Sequence, residues 1–142
     1  MTAMTSDVGG IRGIFRALAE ARDGPFYSLW VELTYRVGHP VPDIGFRIYK
    51  VADSVEATLG VWVSAIRPDG AEICWSVCLE TASESLIITA SVDISDDDGT
   101  RPVFERSADT HDAGEASTLI GVFAGEVCAK RDLLAVETQN PN

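Results

Sequence analysis

The chain has 142 residues and a formal net charge of −11, from 22 acidic against 11 basic side chains. Nucleic acids and anionic membranes are bound through Lys and Arg that neutralise phosphates, so this balance argues against both. It suits a basic protein partner, or solubility alone. With 46% apolar residues, a chain of this length is expected to form a single domain, 1–142, with a real core and flexible tails at 1–7 and 138–142.

No apolar run reaches the ~20 residues a membrane helix needs. Met1 to Gly10 lacks the basic start and apolar centre of a signal peptide. Three cysteines without paired spacing fit a reducing compartment. Cys74 and Cys78 lie about 13 Å apart on an extended strand, too far to bridge. The expectation is a soluble cytoplasmic protein.

In chain order, Val8, Ile11, Ile14, Phe15, Leu18 and Ala19 recur at helical spacing, with Arg12, Arg16 and Glu20 opposite. Gly9, Gly10 and Gly13 weaken the first turns, so the pattern predicts a helix from about Ile11 to Arg22, ended by Gly24-Pro25. Phe26 to Val37 reads as a strand. Tyr27, Leu29, Val31, Leu33, Tyr35 and Val37 alternate there with Ser28, Trp30, Glu32, Thr34 and Arg36. The prolines of Gly38 to Asp43 make a turn. Ile44, Phe46 and Ile48 then mark a strand with Arg47 and Tyr49 on its other side, and Asp53-Ser54 turns the chain onward.

The central stretch alternates most regularly. Ala57, Leu59, Val61, Val63 and Ala65 share one face, as do Ala71, Ile73, Trp75, Val77 and Leu79, and then Leu86, Ile88, Ala90, Val92 and Ile94. A three-residue loop Pro68-Asp69-Gly70 with a glycine bulge pairs Arg67 with Ala71, Ala65 with Ile73, Val63 with Trp75 and Leu59 with Leu79. A four-residue loop Thr81–Glu84 pairs Leu79 with Leu86 and Val77 with Ile88. Ser95 to Thr100 is a polar turn before a short strand, Pro102 to Arg106. From Ser107 the pattern turns helical, with Ala116, Leu119, Ile120, Phe123, Val127 and Leu134 on one face; a strand over Thr118–Ala124 is the competing reading. Gly121 and Gly125 would let this helix approach the sheet closely. The predicted fold is α+β: a two-layer sandwich of five or six antiparallel strands flanked by an N-terminal and a longer C-terminal helix.

Catalytic and metal chemistry find little footing. Asp93 to Gly99 invites a calcium loop, but counting from Asp93 the sixth position is Asp98, not glycine, and the twelfth is Phe104, not glutamate. His39 and His111 show no zinc spacing with Cys74, Cys78 or Cys128. The cysteines read as packing residues before catalytic ones. No nucleophile elbow, phosphate loop or dinucleotide fingerprint is present. Hence no catalytic residue, metal ligand or cofactor is assigned, and an enzyme is the lesser expectation.

The second sheet face is more informative. Trp30, Trp62, Cys74, Cys78, Ile87 and Thr89 fall on it, a mixture of the kind enriched at interfaces. Trp30, Trp62 and Ile87, with the acidic turn Asp96, Asp97 and Asp98, are therefore the candidate partner-binding residues. The partner is expected to be another protein, possibly basic, or a second copy. In overall element order the chain resembles several small bacterial families, including secretion-chaperone-like and immunity proteins. The acidic surface, the tryptophans of the second face and the lack of a catalytic constellation lead to the expectation of a non-catalytic acidic binding module of chaperone, immunity or adaptor type. The alternative is a small-molecule carrier or cyclase-like enzyme. Its strand-rich order and long final helix resemble the helix-grip families, although those place helices after their first strand and this chain starts with one.

Overall fold

The computed structural model describes residues 2–37, 40–50, 57–82 and 85–131. Helix α1 (Thr2–Ala21) runs through a π-helical turn (Arg22–Phe26) into α2 (Tyr27–Val37). Strands β1 (Asp43–Lys50), β2 (Ala57–Ile66), β3 (Glu72–Ala82), β4 (Ser85–Asp96) and β5 (Gly99–Thr110) follow, and α3 (Ala113–Cys128) closes the order. The strands form one antiparallel meander in the order β1-β2-β3-β4-β5. The helices lie against one face of it, giving the α+β sandwich.

The turn between β2 and β3 has the predicted geometry. Arg67 donates its N–H to the Ala71 carbonyl at 2.8 Å, Gly70 donates to the Arg67 carbonyl at 2.9 Å, and Gly70 takes φ +91°. Ala65 meets Ile73, Val63 meets Trp75 and Leu59 meets Leu79. Between β3 and β4 the expected register is two residues off. Leu79 pairs with Ile88 and Val77 with Ala90, and the ladder extends to Ala82 opposite Ser85. A shift of two leaves every side chain on its own face, so hydrophobic alternation could not detect it.

The segment expected as a strand at Phe26–Val37 is the helix α2. Phe26, Leu29 and Leu33 are buried and Trp30 and Val37 half-buried, a spacing of three and four that competes with the alternation along the same residues. The alternation fails at Tyr35, which would share a strand face with Leu33 yet is 86% exposed. An i,i+4 pair, Glu32 with Arg36 at 3.2 Å, adds helix support. Pro25 does not end the helix. It lies inside the π-turn, where one extra residue per turn accommodates a ring that has no N–H to donate.

The helical segment begins at Thr2, earlier than the expected start near Ile11 and within the stretch read as a tail. The tail at 138–142, like His39, the turn at Asp53-Ser54, and Leu134, lies outside the described residues. Ile14 and Leu18 are buried, but Ile11 and Phe15 from the same expected stripe are largely exposed. Close helix approach occurs at Gly10 rather than at Gly121 or Gly125. A Cβ on Gly10 would sit 2.4 Å from the Ala113 Cβ, whereas Gly121 and Gly125 face open space.

At the far edge, β5 is a full twelve-residue strand, not the short one expected, and Thr118–Ala124 is helical. Asp112 caps α3 by accepting from the Glu115 N–H at 2.8 Å, which sets the helix start at Ala113 and leaves Ser107–Thr110 to the strand. Arg106 reaches over the Phe123 ring at 4.9 Å and Lys130 over Phe104 at 4.7 Å. The core under the helices is built from Val61, Val63, Trp75, Val77, Leu79, Ile88, Val92, Ile120, Phe123 and Val127. Trp75 donates its indole N–H to the Lys130 carbonyl at 3.1 Å, fastening the end of α3 to mid-sheet.

The helical assignment of α2 has a direct test. Leu33→Ala is expected to lower unfolding stability by about 2–5 kcal/mol, and Tyr35→Ala to change it by less than about 0.5 kcal/mol, measured by urea denaturation. Comparable losses at both positions would place them on one face and restore a strand.

Candidate functional site

The face of the sheet away from the helices carries Gly45 and Arg47 from β1, Thr58, Gly60, Trp62 and Ser64 from β2, and Glu72, Cys74, Ser76, Cys78 and Glu80 from β3. Ile87, Thr89, Ser91 and Asp93 come from β4, and Pro102, Glu105, Ser107 and Asp109 from β5. No described helix lies on it. The face is concave, with a hollow of about 390 Å³ lined by Arg47, Thr58, Cys78, Glu80, Asp93 and Glu105 among others.

Two glycines shape it. Arg47, Gly60 and Cys78 lie side by side on adjacent strands. With no side chain on Gly60, the Arg47 guanidinium crosses over it to the Cys78 sulfur, Nη1 to Sγ at 3.9 Å. A Cβ on Gly60 would stand 2.8 Å from that sulfur and 3.0 Å from the Val77 carbonyl oxygen. One step along, the Trp62 indole leans over Gly45, its ring 3.1 Å from where a Cβ would be, an aromatic cover for an edge glycine. Neighbouring hydroxyls are small and adaptable. Ser91 donates to Asp93 at 2.7 Å, and Thr89 and Ser107 share a hydrogen bond at 3.3 Å.

The residues singled out from sequence do not all meet here. Trp62 and Ile87 lie on this face, both half-buried. Trp30 does not, because its segment is helical. It stands on α2 with its indole N–H donated to the Pro42 carbonyl at 2.7 Å and its ring tilted against Tyr27 at 5.8 Å between centroids. The acidic turn sits at one end of the sheet. Asp96 is committed internally: Arg101 donates to both its carboxylate oxygens, at 3.0 and 2.9 Å, and the Asp98 N–H donates to it at 2.9 Å. Arg101 beside it holds the Asp96 carboxyl below its ordinary value. Asp97 and Asp98 are exposed at the turn. Sequence reasoning missed Arg47 and Glu105 as site residues. Arg47 reads from the sequence only as lying on the other side of its strand, and Glu105 only as part of the short strand Pro102 to Arg106.

The thiols are poorly suited to nucleophilic work. Burial pushes Cys74 up to about 11 and Cys128 up to about 12, and burial likewise raises Cys78 against the opposing influence of Arg47. His111 stands in the turn between β5 and α3, off the ladder that carries Cys74 and Cys78. Cys128 lies at the other end of α3. Among the described residues no three His, Cys, Asp or Glu side chains gather as a metal site requires. No helix among them is long and apolar enough to cross a membrane.

Comparison with family models, with curated proteins and with solved structures finds no match for this chain.

Native thiol labelling at pH 8 checks this account of the cysteines. Cys74 is expected to react on the order of 10²-fold more slowly than a free thiol, because so little of it is thiolate, and unfolding in urea is expected to remove the difference. A fast-reacting native thiol would contradict it.

Proposed function

We propose that the protein is a non-catalytic binding module whose open sheet face receives a basic segment of a partner protein. The observation that carries this reading is the charge on that concave face. Glu72, Glu80, Asp93, Glu105 and Asp109 stand on it against one arginine, Arg47, among the described residues. Opposite potential speeds and orients association and discriminates against acidic partners. The hydroxyls of Thr58 and Thr89 can each donate and accept, and Trp62 and Ile87 supply apolar contact. Glycines at 45 and 60 let the Trp62 ring and the Arg47 guanidinium lie low across the sheet, where they form part of the surface an incoming chain would meet. A chaperone, immunity or adaptor role fits such a surface, with Asp97 and Asp98 as an outlying acidic contact. Asp96 takes a lesser part, being held by Arg101.

A carrier of the helix-grip type needs an apolar hollow beneath its final helix. Here Ala116, Ile120, Phe123 and Val127 of α3 are buried in the common core with Trp75 and Val92, and the hollow of about 390 Å³ is lined mostly by polar residues and lies on the opposite face. The binding module is therefore the preferred reading.

The test is a titration of ¹⁵N-labelled protein with extended Lys/Arg-rich and Asp/Glu-rich peptides of equal length. The basic peptide is expected to shift resonances of Thr58, Cys78, Thr89 and Glu105 and to weaken as salt screens the contact. Glu80→Lys with Glu105→Lys, both at exposed positions, is expected to reduce affinity about tenfold or more. Equal binding of both peptides, or shifts confined to the helical face, would overturn the proposal.

A further inference from the structure

The two edges of the sheet are built differently. At β5 the ladder is interrupted by a bulge opposite Val92 and Asp93, and Pro102, Arg101, Glu105, Arg106 and Asp109 line the strand, the devices by which a sheet edge is kept from pairing. The edge at β1 has neither a bulge nor a proline within it, and its charges are Asp43, Arg47 and Lys50. Its eight residues pair with β2 without interruption, and Phe46 (43% exposed) and Ile48 (74%) carry apolar surface on the helix side of the sheet that the helical layer covers only in part, Arg22 lying over the Phe46 ring at 4.7 Å. Phe15 of α1, half exposed, lies beside them. Phe15, Leu18, Phe46, Ile48 and Leu59 line an apolar hollow of about 250 Å³. An open, regular, apolar edge of this kind is a template for another strand.

We infer that the occupant is a second copy of this chain, joined β1 to β1 in antiparallel fashion so that two five-stranded sheets become one of ten strands. Two features favour a copy of itself over another partner. The first is charge. On β1 itself Arg47 and Lys50 outnumber Asp43, and Arg22 lies over the Phe46 ring. In a chain of net charge −11 this edge is thus one where two copies can meet without opposing their acidic side chains. The second is register. A two-fold axis through the sheet requires facing residues to share a face, so it must pass through a residue.

Centred on Phe46, the pairing sets Phe46 against itself and Ile44 against Ile48 on the helix side. On the open side it sets Gly45 against Arg47, which stands diagonal to both Asp43 and Arg47 of the other copy. Centring on Arg47 would oppose two arginines, and centring on Gly45 would draw Pro42, which has no N–H, into the ladder. The Phe46 register pairs Asp43 through Tyr49, leaves Lys50 beyond the paired segment, and sets no like charges directly opposite each other. The two copies of Phe15 close over the seam.

The mass in solution and a register-specific cross-link test this. Light scattering at concentrations on the order of 100 μM is expected to give twice the chain mass of 15.2 kDa. Ile48→Lys and, independently, Phe15→Glu are expected to return it to one chain with an unchanged circular dichroism spectrum. Under mild oxidation Phe46→Cys is expected to link two chains, since facing Cα atoms lie about 4.5–5.5 Å apart. Ile48→Cys is not, its counterpart being about 13 Å away. The double reversal Glu80→Lys, Glu105→Lys is expected to leave the dimer intact, which separates this surface from the open face. A single-chain mass for the unaltered protein, a dimer that survives both Ile48→Lys and Phe15→Glu, or a dimer in which Phe46→Cys fails to link would overturn the inference.

Discussion

The Arg67–Gly70 turn decides which side chains of β2 lie beside which side chains of β3, and the other layers follow from that choice. Gly70 at positive φ lets the chain reverse with an odd number of loop residues, so that Val63 faces Trp75 and Ser64 faces Cys74. Asp69 holds the turn from within, accepting from the Ala71 N–H at 3.0 Å and from Arg67 at 3.2 and 2.8 Å. Arg67, hydrogen-bonded to it, keeps the Asp69 carboxyl below its ordinary value of 3.8. Its stabilising part is therefore present above the unfolded value and is lost as pH falls through the lower folded one. That part is modest, because Asp69 is nearly half exposed while Arg67 is buried. A slip of one residue here would turn Val61, Val63 and Ala65 toward solvent and draw Trp62 and Ser64 into the core.

From that parity the two faces acquire different chemistries. The face under the helices is closed by aliphatic residues, by Trp75 fastened to the Lys130 carbonyl, and by Phe123 under the Arg106 guanidinium. The other face keeps hydroxyls, thiols and carboxylates, and its glycines at 45 and 60 make room for the Trp62 ring and for the contact of Arg47 with the Cys78 sulfur. The same strands thus turn one side to the interior they share with the helices and the other to a recessed polar surface. What distinguishes β1 is that it lies at the limit of the helical cover, so its helix-side residues Phe46 and Ile48 remain exposed.

The central hairpins were legible because alternation, turn chemistry and register all pointed the same way there. The misreadings arose where one pattern served two periods or where parity hid a shift. Tyr27 to Val37 satisfies both a strand and a helix template. The decisive signal was the run Phe26, Leu29, Leu33 and Val37 together with Glu32 four residues before Arg36. Reading that segment as a strand carried Trp30 to the wrong layer. The two-residue offset at Ala82–Ser85 is invisible to hydrophobicity by construction. In β5, charged residues on an edge strand blur the alternation, and only the cap at Asp112 marks where the helix begins. The Arg47–Gly60–Cys78 row brings together residues far apart in the chain. It becomes visible only once β1, β2 and β3 are in register.

The central claim is that one sheet face is sealed by helices and the other is open to a partner, and solvent paramagnetic relaxation by a soluble gadolinium chelate tests it most directly. The account predicts strong relaxation of the Thr58, Ile87 and Thr89 methyl groups on the open face and protection of Val77, Val92, Ile120 and Val127. Equal protection of the two sets would mean that the second face is covered, and would contradict the account.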